Sequence, residues 1–320
     1  MKTSTKAWLM TAAALIFLGA AIFTGVMIAL KWDFLKLSTI QYETVTHAVD
    51  NEYRDIAIVG DTACVILLPA ETDQTTVTCY EQARVHHEVS VENGVLKIAV
   101  NDTRKWYEHI GISFESPTIT VELPVEEYGA LSVSVKTGNV SVPRDFTFGT
   151  IDIVTSTGHI TENASASGAI KLKSTTGEIY VKGASAGALD LTATTGRVKA
   201  ADIVCDERLC VQVSTGKTSL ENITCAQLSS SGTTGDLRMT NVTVAETLTV
   251  ERDTGDVTFE KCDAGTLCIT TSTGDIEGTL LTDKVFAAKT STGKIDVPKT
   301  TSGGLCECST STGNITVSIV

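Results

Sequence analysis

An all-β fold, a parallel β-solenoid of about ten rungs, is predicted by three features of the sequence. A Thr-Gly dipeptide returns ten times at a spacing of 19 or 20 residues. An unbroken apolar column stands seven positions before each glycine, and an almost unbroken one stands two positions after it. A fixed short period of this kind marks a stack of identical supersecondary units, none of which can bury its apolar stripe alone.

The corner glycines are Gly138, Gly158, Gly177, Gly196, Gly216, Gly235, Gly255, Gly274, Gly293 and Gly313. Seven residues before them stand Leu131, Ile151, Ile170, Leu189, Leu209, Leu228, Leu248, Leu267, Phe286 and Cys306; five before them the residues are again mostly apolar, with Ser230 as the polar exception. Apolar residues two apart define a strand with one buried face. Two after the glycine come residues such as Val140, Ile160 and Ile276, with Thr218 as the exception. Each unit therefore reads as two short strands meeting at a Thr-Gly corner, where glycine suits a bend that requires positive φ. The preceding threonines stack as a ladder of β-branched side chains. With rungs ~4.8 Å apart, ten form a rod on the order of 45 Å long. The competing architecture is a string of hairpins closed into an antiparallel barrel or sandwich. Irregular Ala/Ser/Gly-rich joints such as Lys182–Gly187 favour the solenoid.

The remaining elements follow in chain order. Residues 1–6 form a short tail, and residues 7–30 carry no charge over a length that spans a bilayer as a helix. No small-x-small cleavage site stands at its end, so an uncleaved signal anchor is expected. Lys2 and Lys6 flank it on one side and Lys31 and Lys36 on the other, and the free amino terminus and Asp33 favour an N-terminus inside and the solenoid outside the cell. Residues 31–49 read as a linker and 50–128 as a β-rich N-terminal cap, with a hairpin signal at Asn93-Gly94. The solenoid is expected over 129–320. Its last strand, 314–320, would present an unpaired edge open to strand addition or end-to-end self-association, unless it folds over the core as the cap.

The chain has 320 residues and a net charge of −13, with no basic run, which argues against nucleic acid and anionic membrane surfaces as partners of the solenoid. Three local motifs are corners or strands rather than sites. Asp253-Thr254-Gly255 resembles half of an aspartic-protease pair but has no second copy. Gly216-Lys217-Thr218 lacks the first glycine of a phosphate-binding loop. His86 and His87, adjacent on a strand, are expected to point to opposite faces and not to converge on a metal.

Two arrangements remain as candidate sites. The residues just after the corner glycines include Asp236, Asp256 and Asp275 on successive rungs, ~5 Å apart. They read as solvated turn residues paired with flanking lysines, Lys217 beside Asp236 and Lys294 beside Asp275, with a Ca²⁺ site as the alternative. No other cofactor is expected. Of the nine cysteines, Cys205 and Cys225 lie nine residues after adjacent corners. They are either a disulfide or two stacked core thiols. Cys64 and Cys79 are a further candidate pair.

The repeated S/T-T-G-x-I/V-x-V corner, preceded by the anchor and by Pro117-Thr-Ile-Thr-Val-Glu-Leu-Pro124, resembles the bacterial adhesin-like family of β-strand-repeat proteins, a domain family of unknown function common in Firmicutes. The resemblance spans about residues 50–320. It implies a surface or envelope-associated β-solenoid, with some relatives linked to envelope stress, and it supplies no catalytic residues. Two functions are carried forward: a non-enzymatic, membrane-anchored envelope protein that displays a rod for binding, and a carbohydrate-active β-helix enzyme. The scarcity of aromatics after Gly129 and the lack of room for long loops favour the first, since sugar sites use aromatic platforms and paired carboxylates. All three tryptophans, Trp8, Trp32 and Trp106, lie outside the repeats.

Overall fold

The computed structural model describes residues 3–33, 40–105 and 115–320, so Trp106 lies outside the described residues. One helix, Thr3–Ala29, precedes a single parallel β-solenoid, and its segment Trp8–Ala29 is long and apolar enough to cross a membrane. Most of its large apolar side chains, Trp8, Phe17 and Ile22 among them, are exposed, while Met27 is buried.

Each of the ten repeat Thr-Gly dipeptides from Thr137-Gly138 to Thr312-Gly313 is a corner, and rungs are named by that glycine. The ten glycines have φ between 129° and 156°, a region that L side chains penalise. A Cβ at any of them would also overlap the carbonyl of the corner on the neighbouring rung. The corner N–H donates across the stack, as from Gly158 to Thr176 O and from Gly216 to Thr234 O, at 2.9 and 2.8 Å. The columns read from the sequence form the core: Leu131, Ile151, Ile170, Leu189, Leu209, Leu228, Leu248 and Leu267 are buried and stand in register along the stack.

A second corner lies six residues after the glycine, where Gly183, Asp202, Asn222, Asn241 and Lys261 adopt left-handed conformations with φ between 51° and 70°. Asp, Asn and Gly tolerate this region. Their side chains form a ladder, Asn222 Nδ2 donating to Asp202 Oδ1 at 2.7 Å and Asn241 Nδ2 to Asn222 Oδ1 at 3.0 Å.

The structure corrects the sequence reading at both ends. The solenoid does not begin at residue 129. Strands Asp55–Thr62 and Cys64–Pro69 form a rung with Ala63 at the corner, and Ile56 and Ile58 in the core columns pair with Leu131 and Val133. Strands Val95–Asp102 and Thr118–Leu123 form a further, outer rung on the other side of it. The exposed edge of that outer rung is covered by antiparallel strands: Thr75–Gln82 on Thr118–Leu123, and Val85–Glu92 on Val95–Asp102. The expected linker contains strand Tyr42–Val49, which pairs antiparallel with Thr75–Gln82.

At the other end the last repeat is not the last rung. Strand Gly304–Thr312 pairs with Val257–Thr273 on one side and Lys284–Thr292 on the other. The Gly274 N–H donates to Thr312 O, and the Gly313 N–H to Thr292 O. The Gly313 rung is thus inserted between the Gly274 and Gly293 rungs. Residues 314–320 therefore supply only part of the terminal edge: Ile315–Ile319 pairs with Ile276–Leu280 on one side, and on the other Ile295–Asp296 covers only Ile315 and Thr316. The edge consists of Lys284–Thr292, Ile295–Asp296 and the outer side of residues 317–319, with Val285 and Ile295 exposed.

Candidate functional site

The column of residues after the corner glycines is a hydrogen-bonded ladder. Asn139 Oδ1 accepts from the N–H of His159 at 2.8 Å, and His159 Nδ1 from that of Glu178 at 3.0 Å. Asp236 Oδ1 accepts from Asp256 N at 3.3 Å, Asp256 Oδ1 from Asp275 N at 2.9 Å, and Asp275 Oδ1 from Asn314 N at 2.6 Å. The three aspartates are on successive rungs, and one oxygen of each is engaged by backbone. Lys217 Nζ lies 3.1 Å from Asp236 Oδ2, the expected pair. The expected pairing of Asp275 with Lys294 is replaced, because the inserted Gly313 rung puts Asn314 beside Asp275; Lys294 donates its N–H to Asn314 Oδ1 instead.

Two open troughs flank this ladder. One, of ≈ 460 Å³, gathers Arg197, Lys199, Lys217 and Arg238 around Asp236 and Asp256. Lys199 Nζ sits 5.4 Å from the centre of the Tyr180 ring, within cation–π range. The sequence shows no basic run because these cations are spread over three rungs, and only stacking brings them together.

The other trough, ≈ 600 Å³, runs along the face before the corner, lined by Gln212, Ser214, Ser231, Thr233, Glu251 and Asp253. Beneath it Arg252 is 4 % exposed. Its Nη2 donates to Ser230 Oγ at 2.8 Å and its Nη1 to the Glu251 carbonyl at 3.0 Å. The second donation of Nη2, to Thr218 Oγ1, is long at 3.5 Å. Gly232 makes room for it, since a Cβ there would lie 2.9 Å from Nη1. Burial lowers the Arg252 pKa to about 10, so it stays charged at neutral pH without a carboxylate partner among the described residues. The two polar exceptions in the core columns, Thr218 and Ser230, are the residues that receive it.

Glu162 is a second buried charged-type residue of the rungs. It is 0 % exposed, between Val142 and Val181 on adjacent rungs. Oε1 accepts from the N–H of Ala164 at 2.7 Å, and Oε2 has no hydrogen-bond partner among the described residues. Burial raises its pKa well above the carboxylate range. Cys205 and Cys225 stand in register on adjacent strands as free thiols. Burial raises their pKa values to about 12 and about 11, which suppresses the thiolate that disulfide exchange requires. Cys64 and Cys79 are also free and lie on strands separated by Thr118–Leu123.

His86 and His87 depart from the sequence reading, because both imidazoles reach the same carboxylate, Glu81. The turn at Ala83–Arg84, with Gln82 opposite Val85, is so tight that the first residues of the return strand close around it.

These features define a class of protein: a capped parallel β-solenoid behind one long apolar helix. The chain belongs to the Toastrack DUF4097 family, whose model matches residues 53–207 and 204–320. Among solved structures it is similar to a candidate adhesin from Parabacteroides distasonis ATCC 8503, with a TM-score of 0.50 and 14% identity, covering 74% of this chain and 97% of that one. It is also similar to a candidate adhesin from Bacteroides fragilis NCTC 9343, with a TM-score of 0.43 and 13% identity over 87% and 97% of the two chains. A candidate lipid-binding protein from Parabacteroides distasonis ATCC 8503 has the same TM-score, identity and coverage, 0.43, 13%, 87% and 97%. At such identities the likeness concerns the fold. No curated protein matches the sequence.

Proposed function

We propose that this chain is a non-enzymatic, membrane-anchored envelope protein that holds a rigid β-solenoid outside the cell for binding, as an adhesin or as the partner of an envelope signalling protein. The observation that carries this reading is the exposed apolar helix Trp8–Ala29 directly ahead of the rod. In water that surface would be a large liability, whereas a bilayer accepts it. The adhesin names of the similar structures agree with the reading.

The trough with Arg197, Lys199, Lys217 and Arg238 is the proposed binding face. On a chain of net charge −13 it is a local reversal of sign, which suits an anionic partner and repels the chain's own acidic surface. The terminal edge at Lys284–Thr292 is the proposed surface for strand addition.

The decisive experiment is protease shaving of intact cells carrying the full chain with a tag after Val320. Loss of the tag is expected. Protection that ends only on lysis would place the rod inside and overturn the reading.

A further inference from the structure

The N-terminal cap holds a cluster of ligand-type side chains that neither the rungs nor the proposed binding face explain. Strand Thr75–Gln82 buries Val77, Cys79 and Glu81 on one face, as the two-residue alternation of a strand requires. Cys79, Glu81 and His87 are 0 %, 1 % and 4 % exposed. Glu81 Oε1 lies 3.0 Å from His86 Nδ1, and Oε2 lies 2.7 Å from both His87 Nδ1 and the His87 N–H. Cys79, Glu81 and His87 each place a donor atom within 4.8 Å of the other two. Glu43 stands opposite Glu81 on strand Tyr42–Val49 and 3.6 Å from His86 Nδ1, so that Glu43, Glu81 and His86 form a second such group at the rim.

We infer that Cys79, Glu81 and His87 form a binding site for a zinc-type transition-metal ion. The donor set decides the class: one sulfur, one imidazole nitrogen and one carboxylate oxygen are the ligands that Zn²⁺ takes in tetrahedral sites. Ca²⁺ and Mg²⁺ select oxygen ligands throughout and find only one of the three suitable. Ligand bonds of ~2.0–2.3 Å put tetrahedral ligand atoms about 3.3–3.8 Å apart, so His87 and Glu81 must separate by roughly 1 Å from their hydrogen bond to admit the ion. Side-chain rotation supplies that movement. His86, bonded to the other oxygen of Glu81, offers a further donor and orients the carboxylate, as outer partners of metal ligands do.

The position gives the ion a structural role. All three ligands belong to the hairpin that covers the outer rung, through pairing of Thr75–Gln82 with Thr118–Leu123 and of Val85–Glu92 with Val95–Asp102. A metal at its turn fastens the cap that keeps the membrane-proximal end of the stack from pairing with other chains.

The test is a Co²⁺ titration of the full chain in detergent after treatment with a chelator, followed by displacement with Zn²⁺. One ion per chain is expected, with a thiolate-to-cobalt absorption band that Zn²⁺ removes. Cys79→Ser should abolish the band, His87→Gln should weaken binding at least about tenfold, and Cys225→Ser should change neither. X-ray absorption of the Zn²⁺-loaded wild-type chain decides the question even where Cys79→Ser fails to fold: one sulfur at about 2.3 Å with lighter ligands is expected. Absence of stoichiometric binding to the wild-type chain, a first shell without sulfur, or a band that survives in folded Cys79→Ser would each overturn the proposal.

Discussion

Lys284 Nζ lies 2.6 Å from Asp263 Oδ1 across a rung to which neither residue belongs. Between them runs Gly304, in register with Lys284, where a Cβ would strike the carbonyl of Gly265. Lys284 is 4 % exposed and also donates to Thr282 Oγ1 at 2.7 Å. The inserted Gly313 rung is therefore clamped from outside.

Deleting residues 304–320 removes an internal rung and not a terminal one. Lys284–Thr292 loses its strand partner, and the buried residues Leu267 and Ile269 lose Cys306 and Cys308. In a nearest-neighbour stack this breaks two interfaces at once. We predict that the truncated chain is cleaved between 284 and 303 by limited proteolysis while the Gly138–Gly255 rungs stay protected. A terminal repeat could be removed without that pattern.

The ten Thr-Gly rungs were legible because each corner demands glycine twice, for its φ and for the carbonyl that a Cβ would strike. The Ala63 rung was hidden because its corner is not glycine, although Ile56, Ile58, Val65 and Leu67 keep the core columns. The outer rung was hidden because its two strands, Val95–Asp102 and Thr118–Leu123, are separated by 15 residues of sequence and not by a Thr-Gly dipeptide. The order of the last two rungs leaves no mark in a sequence whose spacing is the same either way. Of the sites, Thr218 and Ser230 showed as polar gaps in apolar columns, but nothing linear tied them to Arg252, whose side chain leans back over two rungs. The convergence of His86 and His87 was lost because alternation along a strand fails beside a tight turn.

Arg252 sets the stability of the rungs around it. A buried charge without a carboxylate is offset only by hydrogen bonds, and apolar replacement of the whole set is often neutral or favourable. Ser230→Val alone should lower stability by about 2 kcal/mol, since it removes the shorter hydroxyl acceptor of a buried cation. The combination Thr218→Val, Ser230→Val and Arg252→Val copies the apolar residues found at these positions on other rungs. It should equal or exceed the wild type by about 1–3 kcal/mol, read as a thermal midpoint. A triple variant less stable than Ser230→Val would refute this account.

Glu162 predicts a pH dependence. Its folded-state pKa lies above the unfolded value of 4.5, so the folded chain retains a proton that the unfolded chain releases. Its contribution to stability is full below pH 4.5 and is lost as the pH rises towards the folded-state value, by at most about 1.4 kcal/mol per pH unit. Glu162→Val matches Val142 and Val181 beside it. The variant should be more stable than the wild type, and the difference should grow between pH 5 and pH 8 in denaturant titrations. A difference independent of pH would show that Glu162 is ionised in the fold.

The aspartate ladder separates two roles for the same carboxylates. Asp256 Oδ1 accepts from Asp275 N as Asn139 Oδ1 does from His159 N, so the ladder needs an acceptor oxygen and not a negative charge. Asp256 also stands between Asp236 and Asp275, and like charges on adjacent strands are unfavourable. Asp256→Asn should therefore leave the thermal midpoint unchanged or raise it slightly, while Asp256→Ala should cost about 0.5–1.5 kcal/mol through the lost acceptor. A Ca²⁺ site reverses both expectations in the presence of the ion: the wild type would gain stability on adding Ca²⁺, and Asp256→Asn would lose that gain. Calorimetry of the wild-type chain with Ca²⁺, run beside Asp256→Asn, distinguishes the two. With one oxygen of each aspartate already bonded to backbone, we expect no saturable heat in either.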